Sequence, residues 1–514
     1  MSTTAQGITR PLDRYTRIGE LGDALHGVLK KGIAIVVLII VVLVARMFFS
    51  EAIGWLALLW IGVGTCVALI TWRRGGIGLP LLPILAIQHF AVYGIPLING
   101  NETLAGYDTT LIDRAGMEVL ILLVACSTAW RMGMEFFRPS KPTALTLRVF
   151  TGDSNRALNR VGVALITLSA GYELVRLLGL IDEVMAALPS GTSSIAVAIV
   201  NAAGMSGYFL VAMFVAGGGA SASTRAIFWC VLTAHLILLS SSILLSSVIN
   251  IVGAVVIGLF WGSGRLPKSF IIVCATSLAF LNMGKFEMRE RYWGAEGQIG
   301  KHTGIGGFPA FFSEWAGYSL EKFSGGAGEE ETSTRAKRQT MLARMDNLQN
   351  LLFVSDRVTN GNSPVLMGET YAIIPPLLIP RILWPEKPRT HEGQIRLNVH
   401  FGRQLREDSF TTYIAWGLLP EAYGNFGPFW GACLLGVALG LIFAGLENLT
   451  VNKPLLSMEG MVTFVLLIGI AASFEMVASV LITSLFQAVL TVIMACAPFV
   501  DSTTLVRPED DEIG

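Results

Sequence analysis

The chain has 514 residues, of which 14% are charged, and a mean hydropathy of +0.61. That charge content is well below the roughly 25% of a soluble domain, so lipid rather than one globular core must shelter the apolar side chains. A formal net charge of zero argues against a general nucleic-acid-binding protein.

The apolar stretches are long enough to cross a membrane about twelve times, because a spanning helix needs about 20 mostly apolar residues. The predicted spans are 33–49, 52–72, 78–98, 115–132, 158–180, 193–216, 225–243, 245–262, 267–284, 427–446, 459–474 and 477–499. The first lacks a small-residue cleavage site, so it is predicted to be a retained anchor. The Ser-rich junction 240–247 is the least secure division between two spans.

Lys and Arg residues accumulate in alternate short loops. They precede the first span, follow the second, fill the segment 131–160 and recur at Arg225, Arg265, Lys268 and Lys453. The other short loops are neutral or acidic. Because cytoplasmic loops carry the excess of Lys and Arg, both termini are predicted to be cytoplasmic, and residues 285–426 to lie outside.

The sequence therefore predicts an all-α, polytopic membrane helix bundle with one large extracytoplasmic loop. We divide it into a cytoplasmic N-terminal segment (1–32), a bundle of about nine helices (33–284), the large loop with interfacial segments (285–426), the C-terminal membrane helices (427–499) and an acidic cytoplasmic tail (500–514). A loop of this length is far beyond ordinary connections, and such loops are usually functional.

Three kinds of sequence follow one another in the large loop. A Gly-rich stretch (294–307) precedes a charged stretch (329–346), and an apolar stretch punctuated by Pro (367–384) comes next. The prolines interrupt the last stretch too often for it to span. It is predicted to lie at the membrane interface or to dip into a protein-lined cavity.

Several signatures of nucleotide and metal chemistry are absent from the sequence. It has no GxxxxGK[ST] phosphate-binding loop, no HExxH and no DxD pair, and its six His form no spaced cluster. The six Cys all lie in predicted spans, which argues against a disulfide framework. We expect no metal and no cofactor, and the pattern favours a lipid-embedded enzyme or a transporter that works without nucleotide.

Ionisable side chains inside predicted spans are functional candidates because each costs roughly 2.5–3.5 kcal/mol to insert. Glu173 and Arg176 share a helix face and are expected to pair with each other. His89 and His235 are expected to be hydrogen-bonded packing residues rather than catalysts.

Basic residues follow the ninth span directly. Lys285 and Arg289 are four residues apart and share one face of a continuing helix, with Arg291 close behind. Such a pair suits a diphosphate, which Arg grips through two hydrogen bonds and Lys as a point charge. Membrane-flank snorkelling explains cations at a helix end equally well.

A second basic group follows the Pro-rich stretch. Its members are Arg381, Lys387, Arg389, His391, Arg396, His400, Arg403 and Arg406. They either attract anionic lipid heads nonspecifically or form a pocket for a polyprenyl diphosphate. Glu421, Tyr423 and Asn425 then precede the tenth span, and these residue types suit sugar binding or general-base catalysis.

At these residues the sequence resembles the Wzy-type oligosaccharide repeat-unit polymerases of bacterial surface polysaccharides. Lys285 to Arg289 is similar to the Lys-x-x-x-Arg with which that family leaves a membrane span. Ile379 to Pro388 (IPRILWPEKP) resembles its PR-hydrophobic-WP-x-KP segment, and Glu421 to Gly427 (EAYGNFG) its G-E-A-Y-x-N-F-G entry into a late helix. Pro420 stands where Gly is usual. The layout of spans around one large loop also resembles the family, whose fold implies a GT-C-like bundle.

The resemblance implies a substrate of undecaprenyl-diphosphate-linked oligosaccharide at the periplasmic face of the bacterial inner membrane. It also implies a separate flippase that delivers the substrate and a chain-length regulator as a further partner. The growing glycan would move from its carrier to the next lipid-linked repeat unit, with neither metal nor ATP.

The resemblance also implies roles for individual residues. Arg289, Glu421 and His391 are the expected catalytic residues, with Glu421 or His391 as the base that takes the proton of the acceptor hydroxyl. Tyr423 and Asn425 are expected to contact sugar. The residues expected to bind the diphosphate are Lys285, Arg291, Arg381, Lys387, Arg389 and Arg396.

Three other readings of the sequence stay open. An O-antigen ligase-like enzyme would use the same donor with a different acceptor. A secondary transporter or flippase usually binds its substrate near the midplane through broken helices, whereas polarity here concentrates in one outer loop. A structural component of an envelope assembly would tolerate alanine at Lys285, Arg289 and Arg381.

Overall fold

The structure is a computed structural model. It describes residues 16–98, 104, 106–139, 146–149, 152–181, 192–243, 245–292, 305–323, 346–361, 363–379, 383–384, 386–410, 414–455, 457–471, 473–497 and 501–504. Helices dominate these residues, as the composition predicts.

The first four helices pack around a shared apolar core. They are α1 (Ile18–Phe49), α2 (Trp55–Gly75), α3 (Leu81–Ile98) and α4 (Thr109–Phe136). Small residues allow close approach of the backbones: a Cβ added to Gly116 of α4 would lie 2.5 Å from the Cα of Ala57 in α2. Such contacts replace the hydrophobic drive that is lacking between helices in lipid.

A second core is built by the next helices. They are α5 (Gly152–Leu177), α6 (Thr192–Ala216), α7 (Ala222–Ser241), α8 (Leu245–Ser263) and α9 (Lys268–Met283). The chain turns between α7 and α8, where Ile243 has a positive φ of 58°. The Ser-rich junction is therefore a real break between two helices.

Residues 285–426, which the sequence predicts to form one large loop, contain seven helices among those that the structure describes. They are α10 (Lys285–Tyr292), α11 (Phe308–Phe323), α12 (Leu348–Thr359), α13 (Glu369–Ala372), α14 (Ile374–Leu378), α15 (Glu392–His400) and α16 (Leu418–Phe426). The Pro-rich stretch forms two short helices, α13 and α14, so its described part does not span. The Gly-rich stretch before 305 and the charged stretch before 346 lie outside the described residues.

Three apolar helices complete the fold. They are α17 (Trp430–Thr450), α18 (Met458–Ala471) and α19 (Ala478–Cys496). Short 3₁₀ turns occupy Ile305–Gly307, Asp408–Phe410 and Ser473–Glu475. The departure from an all-α fold is an antiparallel pair of strands, β1 (Thr146–Val149) and β2 (Asp501–Thr504), in which Thr146 pairs with Thr504.

Membrane character is shown by the helices themselves. Six helices in the described residues are long and apolar enough to cross a membrane, or seven if the bent pair α9–α10 counts as one span. They are α1, α2, α3, α6, α7 and α17, and shorter apolar helices occupy 247–263, 458–471 and 478–494. The chain is therefore a helical membrane protein.

Buried polar contacts join the two halves of the sequence. Glu447 of α17 accepts hydrogen bonds from the backbone N–H groups of Ile77 (2.7 Å) and Gly78 (2.9 Å) and from the indole of Trp130 (3.0 Å). Because an unpaired buried carboxylate is costly, these bonds fix α17 against the connection between α2 and α3 and against the end of α4.

Candidate functional site

Glu421 lies in α16, and its side chain is fully buried, with 0% exposed. One carboxylate oxygen accepts a hydrogen bond from the Thr370 hydroxyl (2.7 Å), and the other accepts one from the backbone N–H of Ala478 (2.6 Å). Ala478 is the first residue of α19, so the carboxylate faces the positive end of that helix dipole. Glu421 thus joins α13, α16 and α19.

Asn425 stands one helical turn after Glu421 and shares its face. Its side-chain nitrogen donates to the Thr370 hydroxyl and to the backbone carbonyl of Glu421, both at 2.8 Å, and its backbone carbonyl accepts from the N–H of Met367 (2.8 Å). These bonds hold α13 and the residues before it against α16. Asn425 is fully buried as a result.

The environment of Glu421 changes its proton affinity. Burial raises its pKa from 4.5 to about 7, although the hydrogen bonds from Ala478 and Thr370 act in the opposite direction. Glu421 lies in α16, outside the helices that are long and apolar enough to cross a membrane. A carboxyl that binds or releases its proton near neutral pH has the proton affinity expected of a general base.

Three of the predicted residues lie on α15 and the chain before it, a segment that contacts the start of α19 through the hydrogen bond from the Ser479 hydroxyl to the carbonyl of Thr390 (3.2 Å). Arg396 lies 3.6 Å from a carboxylate oxygen of Glu369 and 3.8 Å from one of Glu392. His391 is half-buried at the start of α15, with Nδ1 at 3.2 Å from the side-chain oxygen of Gln394. The carbonyl of Arg389 accepts a hydrogen bond from the N–H of Glu392 (2.9 Å), which shapes the same turn.

Lys387 is held by backbone groups of the Pro-rich segment. Its ammonium donates to the carbonyls of Leu377 (2.6 Å) and Ile379, at the C-terminal end of α14. A cation there satisfies carbonyls that the helix leaves unpaired. Arg381, the other cation of this segment, lies outside the described residues.

Tyr423 points away from the Glu421 network, because residues two apart lie on opposite sides of a helix. Its hydroxyl forms hydrogen bonds with Ser355 and Thr359 of α12, and burial raises its pKa. The structure therefore separates Tyr423 from Asn425, although the sequence assigned both to sugar binding.

Glu118 of α4 was missed by sequence reasoning. It is 6% exposed, and one of its oxygens accepts a hydrogen bond from the N–H of Phe429 (2.7 Å), whose φ of 64° is unusual for a residue other than Gly. The charge of Glu118 raises the pKa of Tyr423, and the charge of Arg114 lowers it. The signal in the sequence was a carboxylate inside the predicted span 115–132.

Lys285 and Arg289 lie on α10, which leaves α9 through a bend of 54°. The bend occurs at Gly284, whose N–H donates to the Ser319 hydroxyl of α11 (3.2 Å). Lys285 is 8% exposed, and half-buried Arg289 donates to the carbonyl of Ile243 (3.3 Å), in the turn between α7 and α8. The structure thus places the pair on one helix face, beside that turn.

Arg291 belongs to a different network on the same helix. Its guanidinium lies 2.6 Å from a carboxylate oxygen of Glu314, which also accepts hydrogen bonds from the hydroxyls of Tyr292 (2.7 Å) and Tyr318 (3.1 Å). The ion pair with Glu314 therefore holds Arg291 against α11 and compensates its charge. The Arg291 side chain is 61% exposed, so it does not share the buried position of Lys285.

Six of the predicted residues therefore fall into two groups on different elements. Glu421, Asn425, His391 and Arg396 gather near the start of α19, whereas Lys285 and Arg289 lie beside the α7–α8 turn. Within the described ranges, no three His, Cys, Asp or Glu side chains are placed to hold a metal ion together.

No protein-family model, curated protein or solved structure matches this chain. The residues and contacts above are therefore the basis for the functional proposal.

Proposed function

We propose that this chain is a polysaccharide polymerase of the bacterial inner membrane. It joins undecaprenyl-diphosphate-linked oligosaccharide repeat units into a surface polysaccharide at the periplasmic face. In this proposal the chain spans the membrane about twelve times, with both termini in the cytoplasm and residues 285–426 in the periplasm. A flippase supplies the substrate, and a chain-length regulator is a further partner.

Contacts between distant segments support this orientation. The strand 146–149, in a loop predicted to be cytoplasmic, pairs with 501–504 in the predicted cytoplasmic tail. Residues near the N-terminus contact another predicted cytoplasmic turn, because the N–H of Ile18 donates to the carbonyl of Lys453 (2.9 Å). Segments that the Lys and Arg distribution assigns to one side therefore lie next to each other.

The observation that carries the proposed reaction is the placement of Lys285 and Arg289. Both cations lie on one face of α10, where the chain leaves an apolar helix by a 54° bend. In the reaction, an acceptor hydroxyl oxygen forms a bond to the anomeric carbon of the donor while the bond from that carbon to the diphosphate oxygen breaks. Negative charge develops on the diphosphate, and these two cations stabilise it.

The group near α19 supplies the remaining chemistry. The acceptor hydroxyl loses its proton as the new bond forms, and a base with a pKa of about 7 such as Glu421 can accept it near neutral pH. The Thr370 hydroxyl donates to Glu421 and accepts from Asn425, so it links these two buried side chains. His391 is the second candidate base, and Arg389 and Arg396 add positive charge beside it.

The test is the size distribution of lipid-linked and surface glycan in cells that lack this protein. The cells are complemented with wild type, Arg289→Ala or Arg265→Ala, each at matched abundance in the membrane. Loss of one group that stabilises developing charge costs about 10²–10³ in rate, so Arg289→Ala should accumulate single repeat units, as the null does. Arg265→Ala, in a predicted cytoplasmic turn, is the matched control and should restore the ladder.

Other outcomes assign the protein differently. A full ladder with Arg289→Ala removes the proposed role of Arg289. Long polymer that stays on its carrier and never reaches its final acceptor favours the ligase-like enzyme. Unchanged glycan length in the null contradicts glycosyl transfer altogether and makes transport the leading function.

A further inference from the structure

A polar cavity of about 410 Å³ lies among α5, α6, α7 and α8. Its polar lining includes Tyr172, Glu173, Arg176, Asn201, His235 and Asn250. Sites for small ligands typically have volumes of roughly 300–1,000 Å³. Polar side chains inside a membrane bundle cost free energy when they have no hydrogen-bond partner. A cavity lined by this many of them is therefore a candidate binding site for a polar ligand.

His235 presents a defined face to this cavity. Its Nδ1 lies 2.9 Å from the hydroxyl of Tyr208, whose side chain is fully buried. When that hydroxyl donates to Nδ1 (2.9 Å) rather than to the more distant carbonyl of Val231 (3.5 Å), the neutral imidazole carries its proton on Nε2, which becomes a hydrogen-bond donor. The predicted packing contact of His235 is confirmed, and the same contact fixes the orientation of the ring.

Two amides remain available in the lining. Within the part of the chain that the structure describes, the side chains of Asn201 and Asn250 have no hydrogen-bond partner, and both are exposed. Each amide offers two donor hydrogens and one acceptor oxygen. That mixture of donors and acceptors matches hydroxyl groups, which also donate and accept.

The charges of the cavity cancel. Arg176 donates from Nε (2.9 Å) to a carboxylate oxygen of Glu173, and its terminal nitrogen lies 2.7 Å from the same oxygen. The predicted pairing is therefore confirmed. Because the other polar groups of this lining are hydroxyls, amides and an imidazole, the cavity suits an uncharged, hydroxyl-rich group better than a phosphate.

An apolar cavity of about 240 Å³ adjoins the polar one. The two share Asn201, Met205 and Asn250, and the apolar one continues between α18 and α19 past residues such as Ile468 and Leu485. A polar chamber that continues into an apolar one fits an amphiphile, with its head in the first and its hydrocarbon in the second.

We infer that the polar cavity binds the uncharged saccharide head of a membrane glycolipid and that the apolar cavity holds part of its hydrocarbon chain. Asn201, Asn250 and His235 hydrogen-bond the sugar hydroxyls. The inference concerns binding alone and goes beyond glycosyl transfer, so its test uses no turnover. Ordered water would satisfy the same polar groups but would leave the apolar cavity without a role.

The test is photo-crosslinking of the purified full-length protein in lipid nanodiscs. The probe is an alkyl glucoside with a diazirine in its chain, and the adduct is located by peptide mass spectrometry. We expect labelling within 464–488, competition by the plain alkyl glucoside and none by an alkyl phosphocholine of equal chain length. Replacing both amides (Asn201→Leu with Asn250→Leu) should weaken competition about tenfold, as expected for lost hydrogen bonds.

Asn448→Leu is the matched control, because Asn448 is a buried amide of α17 that bonds to the carbonyl of Ala444. It should bind as wild type does. His235→Phe keeps the ring volume and should weaken competition in the same direction as the double variant. Equal competition by the phosphocholine, labelling that maps only outside the cavity, or unchanged binding in the double variant would overturn the inference. Any of these results leaves the polymerase proposal standing if Arg289→Ala still abolishes the ladder.

Discussion

Replacement of Glu421 by Gln tests the environment of the candidate base. The folded protein raises the pKa of Glu421 from 4.5 to about 7 through burial, so the folded state binds the proton more tightly than the unfolded chain. The contribution of the neutral carboxyl to stability is complete below pH 4.5 and is lost as the pH rises through about 7. Each unit of difference between the folded and unfolded pKa values is worth about 1.36 kcal/mol, so the stability lost amounts to about 3 kcal/mol.

Glu421→Gln removes this titration and keeps the shape of the neutral acid. The new amide oxygen can accept from the N–H of Ala478, and its nitrogen can donate to the hydroxyl of Thr370. We therefore expect the variant to exceed wild type in stability by about 3 kcal/mol at pH 8, and by less than about 1 kcal/mol at pH 5. The same variant should lose polymer formation if Glu421 is the base.

The free energy of unfolding is to be measured from pH 5 to 8 in mixed SDS micelles. Glu369→Gln serves as control, since that carboxylate is 60% exposed and the loss of its exposed ion pair with Arg396 should cost less than about 1 kcal/mol. If wild type and Glu421→Gln have parallel profiles, Glu421 titrates in the folded protein as it does in the unfolded chain, and the reasoning from burial is refuted.

Three further substitutions test individual contacts. Gly284→Ala should displace α11 and lower stability, because the added Cβ would lie 2.8 Å from the Ser319 hydroxyl oxygen; thermal unfolding measures the loss. Glu447→Gln should lower the free energy of unfolding in SDS by about 1–3 kcal/mol. An amide has one acceptor oxygen, so it cannot accept from both the Trp130 indole and the backbone N–H groups of Ile77 and Gly78. Arg291→Ala should leave stability almost unchanged in the same assay, because the Arg291 side chain is 61% exposed and ion pairs of exposed side chains contribute little.

Each of these has a direct counter-result. Wild-type stability in Gly284→Ala means that α11 does not depend on close approach at the bend. Unchanged stability in Glu447→Gln means that Glu447 does not need to accept hydrogen bonds through both of its carboxylate oxygens. A clear loss of stability in Arg291→Ala means that the ion pair is shielded from solvent.

The sequence by itself determined which segments are helical and apolar. Hydrophobic stretches of about 20 residues need internally satisfied backbone groups in lipid, so their conformation follows from composition alone. Local spacing also sufficed for contacts within one helix. The pair Glu173–Arg176 and the shared face of Lys285 and Arg289 both follow from residues three or four positions apart.

Only the tertiary structure decided what surrounds the candidate site residues. The proton affinity of Glu421 depends on its burial and on Ala478, which lies 57 positions later in the chain. Lys387 was expected to face a diphosphate, but its ammonium is bound to carbonyls at the end of α14. Sequence spacing cannot report such contacts, because they arise where separate elements meet.

The cavities are the clearest case of what local pattern leaves undetermined. Asn201, His235 and Asn250 belong to three different helices. In the sequence, each is an isolated polar residue in an apolar stretch. Their convergence depends on how the helices pack, which small residues and interhelical contacts decide. Helices and their faces are thus local properties of this sequence, whereas burial, charge compensation and cavities are properties of the assembled bundle.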